Sequence, residues 1–199
     1  MSKETQVVVR RRDNVVEAQA NATRALFGLC PNDSINMAKL VDIILTKHFP
    51  AYVMEVEDDA RMNGCEAFTD KKELRITFSR STLEALLRGD PRARMTAAHE
   101  VGHLFLHCGR WWGTVSGRVN PLNDPEKQAD IFAAAFLMPA SAFRKVRSIN
   151  EAMTAFGVSR NAAMCRARKL GLSDALRIYE PIQTRAHKKK GRKLMASTP

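Results

Sequence analysis

The sequence predicts an α+β fold, mostly helical, with a small antiparallel sheet ahead of a helix that carries three histidines. Three observations lead there. Apolar residues recur at helical spacing in several long segments of the 199-residue chain. Three short runs between positions 51 and 79 alternate or extend as strands do. Capping residues, Pro and Gly then mark where helices start and stop. A chain of this length holds one core-bearing domain, and 45% hydrophobic with 27% charged residues suits a globular protein rather than a disordered one.

The elements follow in order. Residues 1–14 are polar and read as a flexible start. VVEAQANATRALFGL has helical spacing, with Val15, Ala18, Ala22 and Leu26 on one face. CPNDSINMAKLVDIILTKHFP opens with turn residues, offers Ser34 as an N-cap, and repeats Ile35, Leu40, Ile43 and Ile44 before Pro50. AYVMEVE alternates, GCEAF is short and extended, and ELRITFS sets Leu74, Ile76 and Phe78 on one face after the turn TDKK. Those three runs are expected to make a small antiparallel sheet.

STLEALLRG is a short helix closed by Gly89, and after Pro91 the longer helix RARMTAAHEVGHLFLHC runs to Gly109. A loop with Trp111, Trp112 and Pro121 follows, its tryptophans placed either over a cleft or in the core. Asp124 caps EKQADIFAAAFLM, with Pro125 in its first turn and Pro139 after its end. Another helix starts near Ser141. SINEAMTAFGVSRNAAMCRARKLGL reads as helix, turn and helix. The organisation is a main domain at 15–148, a helix-turn-helix-like hairpin at 149–180 and a basic tail at 181–199.

Charge is concentrated at that end. The net charge is +11, and +8 of it lies in 149–199, where 11 Lys and Arg face only Glu151, Asp174 and Glu180. A solvated tail and weak contact with nucleic acid or an acidic partner are both open to RAHKKKGRK. Arg160, Arg166, Arg168 and Lys169 lie on the second helix of the hairpin, facing DNA in one reading and packing under the main domain in the other. The opening MSKETQVVVRRRDN has no secretory apolar region, and the apolar run FAAAFLMPASAF is short and broken by Pro139. Cys30, Cys65, Cys108 and Cys165 show no CxxC spacing, so a disulfide framework and a zinc ribbon are disfavoured and a cytoplasmic location without membrane contact is expected.

The chemistry is concentrated in AAHEVGHLFLH. Residues four apart on a helix point the same way, so His99 and His103 can present two imidazoles to one ion, and Glu100 borders that face where it can act on a water without binding the ion. A catalytic zinc site needs a third protein ligand. The HExxHxxGxxH solution requires histidine at 109, where this chain has Gly109. Glu126 opens a downstream helix, and Asp130, one turn behind it, can accept the free ring N–H of a ligating histidine. Taken alone, Glu126 is an acid at a helix N-terminus, where the macrodipole favours it; with HExxH upstream, the joint pattern favours a metal site. His107, two turns from His99, diverges from a single ion and suits a hydrogen-bonded place beside the site. Gly102 suits a helix surface that another backbone approaches closely.

AAHEVGHLFLH followed by EKQADIFAAAFLMP resembles the ImmA/IrrE family of zinc metallopeptidases, whose pattern is HExGHxxLH and then ExxAxxFAxxLLMP. The likeness spans roughly 36–172. It departs at Gln128, where many relatives carry an acid, and in AAAFLMP. The resemblance implies a gluzincin-like Zn2+ site with His99, His103 and Glu126 as ligands and Glu100 as general base. It also implies site-specific cleavage of a helix-turn-helix repressor, relieving repression. The alternative is a noncatalytic regulator that binds DNA or a protein through the basic C-terminal module, with a structural or vestigial zinc site. Tyr52, Tyr179, His107 and several arginines are open as oxyanion partners, and the edge of ELRITFS or GCEAF as a dock for an extended substrate.

Overall fold

A computed structural model of the chain describes residues 4–70, 72–110, 112–116 and 119–177. The fold is mostly helical α+β, as the sequence predicts. Strand β1 (Glu4–Val8) precedes helix α1 (Asp13–Leu26). Helices α2 (Met37–Lys39) and α3 (Leu45–His48) are joined through a π-helical turn at Leu40–Ile44. Strands β2 (Val53–Glu57), β3 (Ala67–Thr69) and β4 (Arg75–Ser79) lead into α4 (Arg80–Leu87) and the histidine helix α5 (Pro91–Leu106). Strand β5 (Trp112–Ser116) is followed by α6 (Pro125–Leu137), α7 (Ala140–Phe143), α8 (Ile149–Phe156), α9 (Arg160–Lys169) and α10 (Ser173–Arg177).

The sheet corrects the expectation of an antiparallel one. Its order is β2-β4-β3, with β3 antiparallel to β4 but β2 parallel to it. The tight β3–β4 connection drops β4 into the central place, so β4 runs in the direction of β2. ELRITFS therefore forms the middle strand, with Ile76, Thr77, Phe78 and Ser79 all buried, and offers no edge. The GCEAF run supplies β3, an edge strand.

The start of the chain also differs from the flexible segment expected at 1–14. Strand β1 pairs antiparallel with β5, Val7 and Val8 are buried, and the Trp loop is in part that partner strand. On α1 the buried face is Val16, Ala20, Thr23 and Arg24, while Val15 and Leu26 stand exposed. Buried Arg24 explains the shift of face, because its guanidinium donates to the carbonyls of Phe136 at 2.7 Å and Asp33 at 2.9 Å. Asn36, not Ser34, caps α2, its side chain accepting from the Lys39 N–H at 3.0 Å.

Helices α5 and α6 form the centre. Asp90 and Asp124 cap them and Pro91 and Pro125 fill their first turns. The apolar faces of Ala97, Ala98 and Val101 on one helix and Phe132, Ala133 and Phe136 on the other are buried; full burial of one large apolar side chain stabilises by about 1.5–3 kcal/mol. Gly102 lets the backbones close up, since a Cβ there would lie 3.2 Å from Ala129 Cα. Helices α8 and α9 pack on the core through Phe156, Val158, Ala163 and Ala167. Arg166 joins that interior rather than an outer face: its Nη1 pairs with Glu17 at 2.8 Å and its Nε donates to the Met138 carbonyl at 3.0 Å. No helix among the described residues is long and apolar enough to cross a membrane.

Candidate metal centre

Four-residue spacing on two touching helices assembles the site. His99 and His103 project from consecutive turns of α5, and Glu126 and Asp130 from consecutive turns of α6. The close approach at Gly102 and Ala129 brings the two faces within reach. One ligand-capable atom from each of His99, His103 and Glu126 lies within 4.8 Å of the others, a group able to hold a metal ion.

The details favour a cation at the centre. His99 Nε2 lies 3.0 Å from His103 Nε2 and 3.2 Å from Glu126 Oε2, and His103 Nε2 lies 3.5 Å from Glu126 Oε1. Lone-pair atoms converge there, and they repel unless a proton or metal sits among them. Burial works against a charged His99 ring, but hydrogen bonds with Asp130 and Glu126 and the charge of nearby Glu100 outweigh it and push His99 up to about 10. Hydrogen bonds with His103 and His99 hold Glu126 well below the usual carboxylate range. Two imidazoles and one carboxylate are also the donor set of a three-ligand catalytic zinc site.

Around this group, Asp130 Oδ1 lies 2.9 Å from His99 Nδ1. His107 Nδ1 lies 3.0 Å from His103 Nδ1, on the side away from the converging atoms, and His107 also lines the cleft next to the group, the hydrogen-bonded place beside the site that the sequence suggests. Burial, aided by His103 and Arg11, pushes His107 down to about 4 against the opposing Gln128 contact. Glu100 is buried at 6% exposure, and its Oε2 accepts from the Thr69 hydroxyl at 2.8 Å, which leaves Oε1 for other work.

A cleft of about 250 Å³ opens here, bordered by Gln6 of β1, Thr69 and Asp70 at the end of β3, and Glu100, His103 and Glu126. Cys108 lines it too, but burial pushes its thiol up to about 11, so it stays protonated near neutral pH. Tyr52 is buried in a separate cavity with Phe49 and Leu74 and takes no part in the cleft lining. Thr69, Gln6, Arg11 and the buried Gln128 are the site residues that spacing did not single out as functional; only the acid-to-Gln departure at 128 pointed to any of them. Trp111, Tyr179 and the basic tail at 181–199 lie outside the described residues.

Comparison with known proteins agrees with the motif reading. No curated protein matches the chain. The family pattern described as the IrrE N-terminal-like domain, a peptidase family, matches residues 88–168, which include α5, α6 and α8 and most of α9. The match lies within the region of likeness, roughly 36–172, that the motifs suggest. Residues 88–168 thus match the IrrE N-terminal-like peptidase domain, which supports membership of the ImmA/IrrE family and a function of metallopeptidase type.

Proposed function

We propose that this protein is a zinc-dependent endopeptidase that cuts a protein substrate at a specific site, the substrate being a helix-turn-helix repressor. The observation that carries the reading is the convergence of His99, His103 and Glu126 beside the buried carboxylate of Glu100. His99, His103 and Glu126 would hold Zn2+, and Asp130 would accept the His99 ring N–H. Zinc, when bound, would supply Lewis acidity, lowering the pKa of a water toward neutrality and polarising a carbonyl. Glu100 takes a proton from the attacking water and returns it to the leaving amine, a task suited to a carboxylate whose one oxygen is held by Thr69.

The substrate segment is extended. Edge strand β3 borders the cleft, so the side of it that pairs with no strand among the described residues can add a further strand by main-chain hydrogen bonds and lay a peptide past Glu100. The choice of a repressor as substrate rests on the family relationship. Cytoplasmic action and contact of the basic tail with nucleic acid belong to the same proposal.

The test compares wild type with Glu100→Gln. Both should contain stoichiometric zinc after purification, and only wild type should fragment a helix-turn-helix regulator encoded beside it, with the cut read by mass spectrometry. Cleavage that survives Glu100→Gln, or wild-type protein that binds no zinc, overturns the mechanism.

A further inference from the structure

Edge strand β3 leads from the cleft at the metal centre to a second cavity. The Asp70 N–H donates to the Arg75 carbonyl at 3.0 Å and the Ser79 N–H to the Glu66 carbonyl at 2.9 Å, with Phe68 opposite Thr77. Alternate residues of an antiparallel strand turn their main-chain groups to the partner, so Glu66, Phe68 and Asp70 face β4 while Ala67 and Thr69 face away. On that side β3 pairs with no strand among the described residues. The Cys65 thiol donates to the Ala67 carbonyl at 3.1 Å, a weak bond that a peptide N–H can replace. Cys65 borders both the cleft and a further cavity of about 300 Å³. Four residues of extended chain, ~13 Å, separate it from Thr69.

The cavity is acidic in a chain whose net charge is +11. Its charged walls are Asp59, Glu66 and Asp90 against one cation, Arg92. Two of the carboxylates are fixed by main-chain donors: Asp59 Oδ1 accepts from the Ser81 N–H at 3.0 Å, and Asp90 Oδ1 from the Arg92 and Ala93 N–H groups, each at 2.9 Å. Glu66 is fixed through Oε2, which accepts from the Thr96 hydroxyl at 2.7 Å. Its Oε1 meets Arg92 Nη2 at 2.5 Å, yet the Arg92 side chain is 81% exposed. The carboxylates are therefore held in place, while the guanidinium that partners Glu66 is carried on a solvated stem and can swing away at little cost. A guanidinium of the chain itself already fits against Glu66, and the Cys65 wall shared with the cleft leaves a path along β3 for a foreign one.

We propose that this cavity is a specificity subsite for a Lys or Arg side chain of an extended protein segment added to β3, with Glu66 as the specificity-determining residue and Arg92 as a resident cation that the incoming one displaces. The inference rests on the endopeptidase reading, which supplies the reason for a peptide to lie along β3. Arg92 keeps a cation in the cavity, which works against a divalent ion, whereas a singly charged side chain brought in by main-chain pairing only has to exchange with it. A bound strand rises at the same rate as β3, so the basic residue stands about four positions from the residue opposite Thr69.

The test measures binding rather than cleavage. Fluorescein-labelled peptides of Thr and Val, with one Arg walked along the sequence and norleucine in the same places as control, are titrated by anisotropy into the full-length Glu100→Gln chain, with and without chelator. At one position Arg should bind about 5-fold more tightly than norleucine, the worth of one exposed ion pair, and the gain should vanish in about 1 M salt. Adding Glu66→Gln should abolish the preference. Adding Arg92→Met, a change at an exposed side chain that leaves the fold intact, should widen it to roughly 10-fold, with the norleucine peptides bound as before. Equal affinity for Arg and norleucine at every position overturns the subsite, as does a preference that survives Glu66→Gln, one that shrinks in Arg92→Met, or failure of every peptide to bind. If the wild type holds no zinc, the peptidase reading fails while the Arg preference is still measured; zinc-loaded protein without that preference fails the subsite alone.

Discussion

Thr69 Oγ1 lies 2.8 Å from Glu100 Oε2 and 3.0 Å from the Glu100 carbonyl oxygen, which ties the edge strand of the sheet to the HExxH helix at its glutamate. The hydroxyl shares its hydrogen between the two and pins one carboxylate oxygen. Thr69→Val keeps the shape and removes the donor. It should lower kcat about 10–100-fold by freeing the carboxylate, while zinc affinity measured by competition with a chelating dye stays at the wild-type value. An equal loss of zinc affinity would show that Thr69 supports the helix as a whole and not Glu100.

Stability of the chelated protein should peak near pH 6.5. His99 has a folded-state value raised from 6.5 to about 10, so its contribution is complete below about 6.5 and is lost as pH rises through about 10. His107 is lowered from 6.5 to about 4, so its contribution is present above about 6.5 and is lost as pH falls through about 4. Melting temperatures measured from pH 4 to pH 10 in chelator should fall on both sides. His99→Gln should flatten the alkaline limb and His107→Gln the acid limb; a limb that persists unchanged in its own variant refutes the assignment.

Gly102→Ala separates helix propensity from site geometry. Alanine gains about 1 kcal/mol in a helix interior. Its Cβ, however, meets Ala129 Cα, Ala129 O and Phe132 Cδ1, each at 3.2 Å, and crowding of this kind costs about 1–3 kcal/mol. The net change in urea unfolding should be a loss of about 1 kcal/mol. Zinc affinity should fall more than that loss suggests, because moving α6 outward carries Glu126 away from both histidines.

Arg166→Met should act on stability and not on nucleic-acid contact. The Arg166 side chain is 1% exposed and pairs with Glu17 through both terminal nitrogens, at 2.8 and 3.2 Å. Removing it leaves a largely buried carboxylate unpaired, at a cost of about 3–5 kcal/mol in urea unfolding. Glu17→Leu in the same chain should recover much of that loss. Loss of nucleic-acid retention by Arg166→Met at full stability would contradict its buried place.

Much of the site was legible because its spacing is local. The i,i+4 pairs His99 with His103 and Glu126 with Asp130 share faces by helix geometry alone, and Asp90, Asp124 and their following prolines announce where those helices begin. The sequence by itself therefore determined the mostly helical α+β class and the ligand-capable faces. Only tertiary structure decided that β4 lies between β2 and β3, that Glu4–Val8 becomes a strand, and that α1 turns Val16 and Arg24 inward. Those outcomes depend on partners far along the chain: Phe136 for Arg24, β5 for β1, Thr69 for Glu100, and Arg11 and His107 for Gln128. Period and capping register only what neighbouring residues do to one another. A buried hydrogen bond closed across a hundred residues has no such local trace, and it exists only once packing has excluded water from both its ends.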